Sequence, residues 1–166
     1  MIVRAVDSID LVGEPAWAAL ARGRSLYLSH PWLRSCERDP GMTPRYLLAE
    51  DGGGRLVGAL PAYLTRAGEV PPFYDPFAVL AWPLLGEGAS REAWLPALLG
   101  GSRSGAANGL LLHPDLDPAA RRSVLGGLLA AFRGLAARHG ARSAAFLYCD
   151  RGDAAELGAE IGRAHV

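Results

Sequence analysis

The chain of 166 residues has no lysine and no glutamine, and Asn108 is its only asparagine. All 17 basic side chains are therefore arginine. With 21 glycines, 12 prolines and abundant alanine, this is the imprint of a GC-rich genome, so no arginine-specific chemistry is read from it. Cys36 and Cys149 are the only cysteines and stand far apart, which argues against a disulfide framework or a cysteine zinc site. The four histidines, His30, His113, His139 and His165, are scattered singly, so no metal site is expected. Acidic and basic side chains balance at 17 each; that gives no global basic field for nucleic acid, and DNA is not an expected partner. Long apolar runs are missing too. The longest, Phe77–Leu85, is too short to cross a bilayer and contains Pro83, and the first residues lack the apolar run of a signal peptide. The chain reads as cytoplasmic.

What is present is one domain's length, half of it apolar. Ile2–Val6 alternates as a short strand. A helix is expected from Glu14 to Ala21 with Pro15 in its first turn, and a second from about His30, with Ser29 or His30 around the cap and Pro31 at the start. Tyr46–Glu50 and Arg55–Leu60 read as strands joined by the turn Asp51-Gly-Gly-Gly54. Gly58 and Pro61 in the return strand predict a bulge or a close approach. Pro71–Gly88 reads as an irregular functional loop, Ser90 as the cap of a helix reaching Leu99, and Gly100–Ala107 as a surface loop. Gly109–Leu112 is a strand candidate. Asp117-Pro118 opens a long helix with Val124, Leu125, Leu128, Leu129, Phe132, Leu135 and Ala136 at helical spacing and Gly140 past its end. Ser143–Tyr148 is a last strand, and a helix starts at Asp153. The expected class is α/β.

This order, and the hairpin Leu47-Leu-Ala-Glu-Asp-Gly-Gly-Gly-Arg-Leu-Val-Gly-Ala-Leu60 above all, resembles the GNAT acyltransferase fold. Ser29-His-Pro-Trp-Leu-Arg34, Leu60-Pro-Ala-Tyr-Leu64 and Tyr74-Asp-Pro76 are similar to the FemAB-like, peptidoglycan-related branch, whose members carry two such domains. The resemblance implies a mixed sheet flanked by helices, cut after the fifth strand, with a second GNAT-like domain missing. The last seven residues, Glu160–Val166, are identical to the translation of a common sequencing adapter. Residues 1–159 are thus expected to be the incomplete first domain and 160–166 an artefact, the alternative being an ordinary helix end. An exposed last strand would then make the product insoluble or molten.

The resemblance also implies transfer of an acyl or aminoacyl group to an amine on a small molecule or cell-wall precursor. Acetyl-CoA or another acyl-CoA would be the donor, or alternatively aminoacyl-tRNA, and the isolated fragment would be inactive and hold no cofactor. The acyl-CoA would lie between the strands Gly109–Leu112 and Ala144–Tyr148, with its pyrophosphate at the start of the helix between them. Arg122, Gly126 and Gly127 have the residue types of the family's pyrophosphate motif but one residue too many, and Asp115 and Asp117 flank the turn. Tight helix–sheet packing is the other reading of these glycines. Asp75 is a candidate base or amine anchor, or only a turn initiator before Pro76. Trp32, Tyr63 and Tyr74 are candidate substrate contacts, with core packing the alternative for Trp32 and Tyr63. Tyr148 is a candidate proton donor or a packed strand-end residue. The competing class of function is a noncatalytic module that recognises a cell-wall precursor or a protein partner.

Overall fold

The β-hairpin sets the frame. In the computed structural model, which describes residues 1–39, 43–66, 74–86, 90–103, 105 and 109–163, β2 (Thr43–Glu50) and β3 (Leu56–Thr65) pair antiparallel. Asp51 closes the turn, its Oδ1 accepting from the amides of Gly53 (2.9 Å) and Arg55 (3.0 Å). Gly54 takes the left-handed conformation, φ +79°, that the turn needs. Ala49 faces Gly58 while Glu50 faces Leu56, so Val57 is the extra residue of a bulge.

β1 (Ile2–Val6) pairs antiparallel with the outer edge of β2. The other edge of β3 carries two strands in one lane. Ala62–Thr65 pair with β4 (Ala97–Gly100), and Gly58 and Ala59 pair with β5 (Leu111–Leu112), all antiparallel. The chain thus leaves the lane after Gly100 and returns to it at Leu111. β6 (Ser143–Phe146) pairs parallel with β4. The sheet order is β1-β2-β3-β4-β6, with β5 bound to β3.

Both faces are covered because the strands alternate. Leu47, Ala49, Ala62, Leu98 and Leu112 pack beneath α4 (Pro118–Arg138) and α5 (Arg151–Arg163). Tyr46, Leu48, Ala59 and Leu111 face the opposite way, against Trp17 and Leu20 of α1 (Glu14–Ala21) and Leu33 of α2 (His30–Cys36). A third cluster joins Tyr63, Ala97, Leu99 and Leu147 to Leu95, Val79 and Leu80. Polar struts fix the second layer. The Trp17 indole donates to the Leu28 carbonyl at 2.8 Å, and the buried His30 ring sits 3.1 Å from the carbonyls of Ile9 and Val12. Ser29, not His30, is the cap of α2.

Four expectations need correction. The helix expected between Ser90 and Leu99 is a single 3-10 turn, Arg91–Ala93, followed by strand β4. Pro96 has no N–H to continue a helix and pushes Leu95 out of the α region. Ala97–Gly100 is buried throughout, as a strand covered on both faces must be. The supposed surface loop after it begins buried, at Gly101, Ser102 and Arg103. Third, Phe77–Leu85 is helical, a π-turn (Phe77–Ala81) running into α3 (Trp82–Leu85); Pro71–Phe73 lie outside the described residues. The last strand ends at Phe146, two residues short of the expected Tyr148.

Candidate functional site

β5 stays on β3 while β6 stays on β4, so beyond Gly100 the two lanes no longer pair and the sheet opens. Tyr148 stands at the end of β6, beside that opening. It is the one non-glycine residue with positive φ (58°) among those described, and it is 42% exposed. A left-handed, non-glycine residue is held there by its surroundings against an intrinsic cost.

Those surroundings are aromatic. The Tyr148 ring meets Tyr74 edge-on, centroids 5.5 Å apart at 82°. The Tyr74 hydroxyl donates to the Gly105 carbonyl at 3.2 Å and also accepts from the Gly105 amide. Gly105, at φ +92°, lies directly against the Tyr27 ring, which leaves no room there for a side chain. Tyr27 in turn packs edge-on against Trp32, 5.1 Å apart. Tyr63, fully buried on β3, lies close enough for the Tyr74 and Tyr148 phenols to act on it. Burial pushes its own phenol up, against the opposing pull of the Arg103 guanidinium. The structure therefore joins Tyr148 to Gly105 through Tyr74 and Trp32 to Gly105 through Tyr27, with Tyr63 near Tyr74 and Tyr148. The buried Trp32 indole N–H has no hydrogen-bond partner among the described residues.

Asp75 is buried at 2% exposure and its carboxylate is engaged. Oδ1 accepts from the Phe77 amide at 2.9 Å, and Oδ2 forms an ion pair with Arg91, whose guanidinium lies 5.6 Å over the Phe77 ring. That geometry anchors the π-turn and leaves no oxygen of Asp75 uncommitted.

Sequence reasoning missed Tyr27, Arg103 and the pair Arg24–Asp153. Arg103 is buried and binds Asp39 at 2.5 Å. Arg24 binds Asp153 of α5, against which Gly109 is packed. Nothing local in the sequence signals these contacts: Arg103 reaches Asp39 beyond α2, Gly105 lies against Tyr27 before it, and Gly109 lies against Asp153 of α5. Both thiols are poor nucleophiles at neutral pH: burial raises Cys36 and pushes Cys149 up to about 11.

The phosphate end of an acyl-CoA would lie at the start of α4, and the residues present there do not fit it. Asp117 caps the helix, Oδ1 accepting from Ala119 and Ala120 at 2.8 Å each. Arg122 is exposed one turn further on. Gly126 and Gly127 lie about 12 Å along the axis from Pro118. A Cβ on Gly127 would approach Met1 Cε to 2.5 Å, whereas one on Gly126 would meet nothing.

No known protein family matches the sequence, and no curated protein matches it. Among solved structures, a probable acetyltransferase superposes with a TM-score of 0.59 over 98% of this chain and 89% of its own, at 14% identity. The fold is acetyltransferase-like. TofI in its apo form aligns with a TM-score of 0.40 at 18% identity, over 85% of this chain and 67% of its own. Among the described residues no helix is long and apolar enough to cross a membrane, and no group of histidine, cysteine or carboxylate side chains is placed to hold a metal.

Proposed function

We propose that this chain is the acceptor-binding part of a FemAB-like acyltransferase, an enzyme that moves an acyl or aminoacyl group onto an amine. The acceptor is an amine-bearing small molecule or cell-wall precursor. It lies along the aromatic row Trp32, Tyr74 and Tyr148. The observation that carries this is Tyr148, held left-handed and half-open to solvent where β5 and β6 part. A ring in that position can cover the apolar part of a ligand and offer its hydroxyl to the reacting group. The unpartnered Trp32 N–H adds a donor for a ligand carbonyl. In the transfer itself the amine nitrogen attacks the thioester or ester carbonyl and loses a proton to a base. Asp75, tied to Arg91 and Phe77, is not that base, and no other described carboxylate is assigned the role.

That same engagement of Asp75 favours a second reading, a noncatalytic recognition module for the same class of cell-wall precursor. Calorimetric titration with a soluble peptidoglycan stem peptide bearing a free side-chain amine tests both. Binding weakened by N-acetylation of that amine supports the acceptor role. Binding indifferent to acetylation supports the module, and no binding of either form removes both.

A further inference from the structure

A helix start with free amide donors and positive potential around it is a ready site for the pyrophosphate of an acyl-CoA. In this fold the helix start beside the opening is that of α4. Every donor of its first turn is committed. Pro118 has none, Ala119 and Ala120 give theirs to the Asp117 carboxylate, and Arg121 bonds the Asp117 carbonyl at 2.8 Å. A phosphate placed there would meet a carboxylate at hydrogen-bond distance.

The neighbouring helix start repeats the pattern. Asp150 Oδ1 accepts from the Asp153 amide at 2.8 Å. Asp115, Asp117, Asp150, Asp153 and Glu156 thus gather around the starts of α4 and α5. Two of the nearby guanidiniums are already used, Arg24 on Asp153 and Asp150 and Arg121 on Glu156, while Arg122 and Arg151 stand exposed.

We propose that Asp117 determines the donor class of this domain by closing its phosphate cradle, so that the chain does not hold acyl-CoA. For its place in a reaction this rests on the acyltransferase reading above; its test does not. Glycine is tolerated at a helix cap at a cost of only a few tenths of a kcal/mol. Asp117→Gly therefore frees two amides and removes the charge while the helix persists, which a thermal melt checks.

The experiment is calorimetric titration of the whole chain and of Asp117→Gly with coenzyme A and with inorganic pyrophosphate. The wild type is expected to show no saturable binding up to about 1 mM. The folded variant is expected to gain saturable binding of both ligands, tighter by about tenfold or more. Saturable binding of coenzyme A to the wild type overturns the inference, and so does a folded Asp117→Gly chain that gains nothing. The stem-peptide titration is independent of this one. Failure here with acceptor binding intact leaves the acyltransferase reading standing, and the reverse result leaves the closed cradle standing without it.

Discussion

Gly58 of β3 lies under Val124 of α4 so closely that a Cβ there would fall 2.5 Å from Val124 Cγ1, with Leu128 and Leu112 at 3.2 and 3.3 Å. Helix and sheet meet at this glycine. Gly58→Ala is expected to destabilise the fold by about 1–3 kcal/mol through overpacking. Gly126→Ala, on the same helix but facing open space, is expected to stabilise it by about 0.5–1 kcal/mol. Urea unfolding of the two variants checks the difference in sign.

Glu37 is the polar knot beneath α2. Oε1 accepts from the Ile9 amide and the Tyr46 hydroxyl, each at 2.7 Å, and Oε2 from Ser8 Oγ at 2.9 Å. Burial and the Glu37 hydrogen bond hold the Tyr46 phenol far above its ordinary range. Glu37→Ala strands these donors and should cost about 1–3 kcal/mol. Tyr46→Phe should cost less, since it removes one donor and leaves Glu37 its other two. Chemical denaturation ranks them.

Arg121 grips Glu156 with two hydrogen bonds, 2.5 and 2.8 Å, tying the first turn of α4 to α5. The bond from Arg121 outweighs burial and lowers the Glu156 carboxyl below its ordinary 4.5. Its stabilisation is therefore complete above pH 4.5 and lost as pH falls through the lowered value. Both side chains are about a third exposed, so the pair contributes about 1 kcal/mol or less. Asp153 acts with the opposite sign. Burial, only partly offset by Arg24, raises its carboxyl, so its contribution is full below 3.8 and fades as pH rises. Stability curves of Arg121→Met against wild type should diverge above pH 4.5 and converge in acid.

The sequence showed those features that local chemistry dictates. The hairpin is legible because Asp51 and Gly54 can close only one kind of turn, and α4 because seven apolar residues recur along one face. Ala97–Gly100 is not, since four apolar residues in a row look alike in a buried strand and a buried helix. The candidate site was legible in its parts only. Trp32, Tyr63, Tyr74 and Tyr148 can be singled out one by one, but the contacts that link them run between distant segments, through Tyr27, Gly105 and Tyr74. Tyr27 and Arg103 carry no local signal, because their roles are fixed by the excursion between β4 and β5.

The most direct test of the account is a residue-resolved NMR titration of the whole chain with the free-amine stem peptide. Saturable shifts at Tyr74, Gly105, Tyr148 and the Trp32 indole, with the start of α4 unmoved, are the predicted result. A peptide that leaves those four signals in place, or that binds at the Asp117 turn instead, contradicts it.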